Sequence, residues 1–322
     1  MAPPAVTVVV ATRNRSGLLE RLLTALARQR FHGEMDVIVV DDASTDDTAA
    51  VLGRLASATT LKVDWLSLPD RRGPGGARNV GWPRSRAPLI AFTDDDCVPD
   101  DDWLASLVEA LADADLVQGR TLPDPDQLPE LGPFGRTIRV PRENGYFQTC
   151  NVGYRRDLLE QLSGFDESFA QVAEDTDLAW RAIEAGARTS FSEAALVHHD
   201  VRPSNWWLHV RSAWKWQGVV LAVRRHPGLR SRLHRRWFWK ASHPPAICAA
   251  VGLALMVAPT TRFRRIASIA LLLPYLRLRL HRAPLLPDPV QRVAVIPAAL
   301  AADLNDVAVM AAGSVRYRRF LL

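Results

Sequence analysis

The sequence predicts an α/β protein: a doubly wound, mostly parallel sheet over residues 1–200, then a basic, tryptophan-rich helical region over residues 201–322. Three observations predict it. Short apolar runs alternate with segments whose leucines recur at helical spacing. Those runs end in polar and acidic clusters, and both charge and aromatic content change abruptly near residue 200.

Val6–Ala11 is a β-branched run of strand length, and Leu18–Gln29 sets Leu18, Leu19, Leu22, Leu23 and Leu26 on one helical face. Val37–Val40 reads as a second strand. Ser44 and Thr45 stand where an N-cap belongs, and Asp46 and Asp47 suit the positive end of the helix that follows. Leu61–Leu66 and Leu89–Thr93 read as the third and fourth strands. Strands buried on both faces and separated by helices imply parallel pairing with right-handed crossovers, with ligands bound outside the strands' carboxyl ends. A helix over 101–112, a strand over 116–119 and a proline-rich irregular segment over 123–145 come next. Helices over 158–164 and 175–185 follow, the last stopped by Gly186.

At 322 residues and 48% apolar, the chain can fill one large core or two moderate ones. Cys97, Cys150 and Cys248 are too scattered for a disulfide framework or a metal-ligand spacing, which fits a reducing cytoplasm. The first residues show no basic region followed by an apolar core, so no signal peptide is expected. The net charge of +5 conceals two opposite halves: −12 over residues 1–200 and +17 over 201–322, where 20 basic side chains meet only 3 acidic ones. Six of the ten tryptophans lie between Trp206 and Trp239. The apolar stretches Pro245–Pro259 and Ile266–Leu276, separated by Arg262, Arg264 and Arg265, fall short of the roughly 20 residues a straight span needs. They predict an in-plane or re-entrant arrangement on an anionic membrane surface. No nucleic-acid module is recognisable, so nucleic acid is not an expected partner.

Four polar clusters carry candidate chemistry. Asp94 and Asp96, one residue apart after the fourth strand, point the same way in an extended chain and can share Mn²⁺ or Mg²⁺ with a diphosphate; an acidic turn capping the next helix is the alternative. Asp41 and Asp42 suit a nucleobase or ribose, or equally an Asx-turn. The glycine turn at 73–76 lets backbone N–H groups approach an anion, with Arg78 beside it for phosphate. Glu174 and Asp175 open a helix, where acids are favoured by the dipole, and Asp175 is a candidate general base.

In order, Val39-Val40-Asp41-Asp42-Ala43-Ser44-Thr45-Asp46, Gly73-Pro74-Gly75-Gly76-Ala77-Arg78-Asn79, Phe92-Thr93-Asp94-Asp95-Asp96, Gly164-Phe165-Asp166-Glu167 and Glu174-Asp175-Thr176-Asp177 resemble the motif set of family-2 glycosyltransferases with the GT-A fold, across residues 5–200. The resemblance implies an inverting transfer from a UDP-, GDP- or dTDP-sugar. It puts Asp42 at the base, with Thr12, Asn14, Arg78, Asp94 and Asp95 on the nucleotide side. Asp94 and Asp96 would hold metal and diphosphate, with His199 as a further ligand, although the doubled His198-His199 leaves the register open. Asp175, flanked by Glu174, would be the base, and Asn151 would face the sugar or acceptor. Trp214-Lys215-Trp216-Gln217 stands where processive relatives carry a Gln-x-x-Arg-Trp segment, which implies single addition.

The tail points to a cell-envelope glycan or lipid-linked acceptor at the cytoplasmic face of a bacterial membrane, with the cytoplasm as second choice. A nucleotidyltransferase would need a glycine-rich triphosphate loop after the first strand, and Thr12–Gly17 has one glycine. A non-catalytic sugar-nucleotide scaffold would have lost the carboxylates. A dinucleotide dehydrogenase would need a G-x-G-x-x-G that is missing.

Overall fold

The computed structural model describes residues 3–169, 171–257, 261–281 and 289–322; Pro259, the end of one predicted apolar stretch, lies outside them. The chain forms two compact units, Met1–Leu128 with Thr137–Val201, and Pro129–Arg136 with Arg202–Leu322.

The first unit runs β1 (Val6–Thr12), α1 (Ser16–Ala27), β2 (Met35–Asp41), α2 (Thr48–Ala58), β3 (Lys62–Ser67), α3 (Gly73–Gly81), β4 (Leu89–Thr93) and β5 (Cys97–Pro99). It continues with α4 (Trp103–Ala110), β6 (Leu116–Pro123), β7 (Asn151–Arg155), α5 (Arg156–Leu162), α6 (Glu174–Glu184) and β8 (Thr189–His199). The strands form one sheet ordered β3-β2-β1-β4-β7-β6-β8-β5. Its β3-β2-β1-β4 half is parallel; β7 then runs antiparallel to both neighbours, and β5 antiparallel to β8.

Strand alternation divides β1 between two cores. Val6, Val8 and Val10 meet Leu19, Leu22 and Leu26 of α1 on one face. On the other face Val9 joins Ile90, Phe92, Phe165 and Leu178. Each such side chain contributes about 1.5–3 kcal/mol by leaving water. Because both faces are covered, the open positions fall at strand ends, where the polar clusters lie.

Three local expectations need correction. α2 begins at Thr48, where Asp46 Oδ1 accepts from the Thr48 N–H at 3.0 Å, so neither Ser44 nor Thr45 caps it. Both are held instead by Asn14, whose N–H donates to Ser44 Oγ and whose Oδ1 accepts from Thr45 N–H. β3 is a half-exposed edge strand rather than one buried on both faces. β7 and β8 went unread because stretches such as Thr189-Ser190-Phe191-Ser192-Glu193 carry no clean alternation; pairing with β6 makes β8 a strand. Gly186 does end α6: at φ +90° it donates to Ile183 O while Ala187 donates to Ala182 O.

The second unit contains α7 (Trp206–Ser212), α8 (Gln217–Arg225), α9 (His243–Val257), α10 (Arg262–His281), α11 (Pro289–Ala294) and α12 (Ile296–Tyr317). Ala246 and Ala249 of α9 pack with Tyr275 of α10 and Leu300 and Leu304 of α12. A Cβ at Gly252 would come within 2.9 Å of the Ser268 carbonyl, so glycine is what lets α9 and α10 approach there. Sequence reading missed α12. Among the described residues, Val290–Tyr317 is the one run long and apolar enough to cross a membrane.

Candidate active site

The crevice at the carboxyl ends of β1, β2 and β4 receives three loops and the first turn of α6, all within the first unit. Its floor is built by strand-end side chains binding one another. Thr12 donates to Asp95 Oδ2 at 2.8 Å, and Arg15, just ahead of α1, pairs with Asp95 and reaches Asp96 Oδ2 at 3.3 Å. Asp95 is buried and its carboxyl is raised to about 6, because burial outweighs Arg15. It ties the end of β1 to the turn after β4. Asn14, predicted on the nucleotide side, holds the loop after β2 through Ser44 and Thr45.

The two aspartates of the predicted metal pair meet different partners. The chain turns after Thr93, with the Cys97 N–H bonded to the Asp94 carbonyl at 3.1 Å, so the extended-chain reason for Asp94 and Asp96 facing together does not apply. Asp94 accepts from Arg78 Nη2 at 2.7 Å, whereas Asp96 Oδ1 lies 3.6 Å from His199 Nε2. The antiparallel register of β5 with β8 sets Cys97 opposite His199 and resolves the doubled histidine. His198, on the other side of the strand, pairs with Asp100 at 3.2 Å.

His199 Nδ1 lies 2.8 Å from the Asp200 carbonyl, which can only accept. Nδ1 therefore donates to that carbonyl, which leaves Nε2 as the ring nitrogen on the Asp96 side. Ligand atoms of Asp96, Cys97 and His199 lie within 4.8 Å of one another. Burial raises the Cys97 thiol well above its ordinary value, so it stays protonated and is a poor ligand. The remaining carboxylate and imidazole are a donor pair able to hold a divalent cation.

At the other side, α3 and α6 are joined through Arg78, which is 4% exposed and binds Asp94 and, at 3.2 Å, Glu174 Oε1. Burial pulls its pKa down, but Asp94 and Glu174 more than reverse that. The predicted anion at the glycine turn turns out to be internal: Asp42 accepts from the N–H groups of Arg72 (2.6 Å) and Gly73 (3.0 Å). A Cβ at Gly75 would meet Glu174 Cγ at 3.2 Å, so this glycine serves close packing against α6. Gly164, at φ +66°, brings Phe165 onto Asn79, which exchanges hydrogen bonds with the Phe165 backbone at 2.8 Å both ways. Arg72 clamps Glu167 at 2.7 Å. The two glycine motifs are halves of one clasp that fixes where α6 starts.

Asp175 lies in the first turn of α6. Its Oδ1 accepts from Thr176 N–H at 2.7 Å and its Oδ2 from Thr149 N–H at 3.4 Å. Burial first, then the neighbouring Glu174 charge, raises its carboxyl to about 7. That is the proton affinity of a base working near neutrality. Glu174 is raised too, by burial, against the pull of Arg78.

Asn151, predicted to face the sugar, faces inward instead. It is fully buried, accepts from Trp103 Nε1 and donates to the Arg120 and Ala195 carbonyls, each at 2.8 Å. It fastens β7 to the bulge between β6 and β8 beside Gly119, where any Cβ would collide with its amide. Arg15 is the site residue sequence reading passed over. Its one signal was membership of the polar run Thr12–Arg15 at a strand end.

Residues 7–163 match the profile described as glycosyl transferase family 2, and residues 139–279 that of glycosyl transferase family group 2. A pre-mycofactocin glycosyltransferase of Mycobacterium tuberculosis is 31% identical over 242 residues, 69% of this chain and 48% of that protein. The chain thus spans about half the length of that relative. Succinoglycan biosynthesis protein ExoU of Rhizobium meliloti is 26% identical across 82% of this chain and 90% of its own length. Among solved structures, the mannosyltransferase PcManGT of Pyrobaculum calidifontis, in complex with GDP-Man and Mn²⁺, superposes with a TM-score of 0.69 at 22% identity, covering 95% of this chain and 88% of that one. The first unit has the GT-A fold of such enzymes.

Proposed function

The chain belongs to glycosyl transferase family 2, and from that premise we propose that it moves one sugar, with inversion, from a nucleoside-diphosphate sugar to an acceptor hydroxyl. The observation that carries this reading is Asp175: a carboxylate in the first turn of α6, held by the Thr176 and Thr149 N–H groups and raised by burial and by Glu174, in the same unit as Asp96 and His199.

Asp175 takes the proton from the acceptor hydroxyl as that oxygen attacks the anomeric carbon. Attack from the face opposite the departing diphosphate inverts the configuration with no covalent intermediate. Asp96 and His199 are the residues that would hold a divalent cation, and such a cation would supply charge stabilisation for the leaving diphosphate. Arg78 sits between Asp94 and Glu174 and keeps the two acidic walls from repelling. The donor is a UDP-, GDP- or dTDP-sugar, and the GDP-Man and Mn²⁺ of the Pyrobaculum enzyme support that class. The acceptor is a cell-envelope or lipid-linked glycan met at the cytoplasmic face of the membrane. Single addition is favoured by Trp214-Lys215-Trp216-Gln217 in place of a processive motif.

The test is turnover and binding of UDP-, GDP- and dTDP-sugars with and without Mn²⁺, on wild type and Asp96→Ala, with proton NMR of the product anomer. One donor should turn over with metal and invert, and Mn²⁺ affinity should fall about 10–100-fold in the variant. Retention, or undiminished Mn²⁺ binding by Asp96→Ala, overturns the corresponding assignment.

A further inference from the structure

Helix α10 is built inside out. Three of its polar groups point into the second unit: Ser268 is fully buried, the Tyr275 hydroxyl donates to Asp303 at 2.7 Å, and Arg279 pairs with the same carboxylate. Its exposed surface carries an apolar stripe. Phe263, Ile266, Ile269, Leu273 and Leu280 recur at three-, four- and seven-residue intervals and are 46–79% exposed. The neighbouring end of α9 continues the patch with Leu253, Met256 and Val257, and α9 carries no Asp, Glu, Lys or Arg. Of the large hydrophobic side chains exposed in the described residues, all but Leu128 lie at or beyond Trp207. An amphipathic helix in water turns its apolar stripe inward, so this stripe is matched to an apolar medium outside.

We propose that the outward face of α10, with the end of α9, docks on an anionic lipid bilayer. The helix lies in the interface plane with its apolar stripe among the acyl chains and its exposed arginines at the phosphates. This rests on the membrane-surface part of the functional reading and names the residues that make the contact. Charge selects the lipid: 20 basic side chains face 3 acidic ones over residues 201–322, and Arg262, Arg264, Arg265 and Arg277 occupy exposed positions along α10 itself. A second copy fits this surface less well, because a two-fold contact would set the same cationic face against itself. A straight span fits α10 poorly too, with five arginines in 20 residues.

The test is flotation of the full chain with vesicles of phosphatidylcholine alone or with phosphatidylglycerol, for wild type and the double variant Ile269→Asp, Leu273→Asp. Both residues are exposed, so circular dichroism and nucleotide-sugar hydrolysis in solution should be unchanged. Wild type should float with the phosphatidylglycerol vesicles, and the double variant's partition coefficient should fall on the order of tenfold or more. Added salt should weaken binding without abolishing it. Equal flotation of variant and wild type, or no flotation of wild type, overturns the proposal. Light scattering that finds a wild-type dimer lost in the double variant would assign the stripe to a second copy. Intact donor hydrolysis alongside failed flotation would sink the docking surface and leave the transferase reading standing.

Discussion

Asp175, part-buried in the first unit, and Asp306, buried in the second, are both aspartates on helices, and their surroundings push them in opposite directions. Asp175 is held by two backbone N–H groups beside a second carboxylate, Glu174, and its proton is retained to about 7. Asp306, on α12, meets Lys240 Nζ at 2.6 Å and His209 Nε2 at 3.6 Å. Burial raises it, but those two partners more than offset that, and it ends below its ordinary value. A buried carboxylate with its own counter-ions is spent on holding helices together. One whose nearby cation, Arg78, is bonded to two other carboxylates keeps an affinity for protons that chemistry can use.

The strongest way to break this contrast is Asp175→Asn. It preserves size and removes the base, so transfer should fall by between about 10² and 10⁴ in kcat while donor KM changes little. Steady-state kinetics decide it; a variant within threefold of wild type would strip Asp175 of its role.

A pH profile sharpens the same contrast. The base acts only as carboxylate, so the rate should rise with pH through about 7 and drop about tenfold per unit below it. Stability runs the other way. A carboxyl raised from 3.8 to about 7 in the fold contributes stability below 3.8 that is lost as pH rises through 7. The melting temperature of Asp175→Asn relative to wild type should therefore gain more at pH 8 than at pH 4. An equal gain at both would mean that the fold does not shift this proton.

The smallest effect is expected in the second unit. Lys240→Met leaves Asp306 buried with His209 alone and should cost about 1–3 kcal/mol in urea unfolding, tempered by the partial exposure of Lys240. Donor turnover by the folded variant should be untouched. No loss of stability would show that His209 suffices as counter-ion.

Within the crevice, legibility followed sequence separation. The strands β1, β2 and β4 and the acids just after them were readable because β-branched runs ending in Asp are local patterns. Roles that depend on partners far along the chain were not. Asp42 reads as a ligand contact, and only the fold shows that it also accepts from the Arg72 and Gly73 N–H groups, about 30 residues on. Asn151 reads as a polar residue near a site until Trp103, Arg120 and Ala195 are found around its amide.

The sequence by itself determined the α/β class, the acidic crevice at strand ends, the helix start at Glu174 and Asp175, and the basic character of residues 201–322. Those are consequences of periodicity, composition and near-neighbour chemistry. Only the tertiary structure decided that His199 rather than His198 meets Asp96, that Arg78 bridges two acidic walls, and that α10 turns its apolar side outward. Strand register, ion pairing at long range and the direction a helix faces are fixed by whole-chain packing. No window of sequence contains both halves of such a contact.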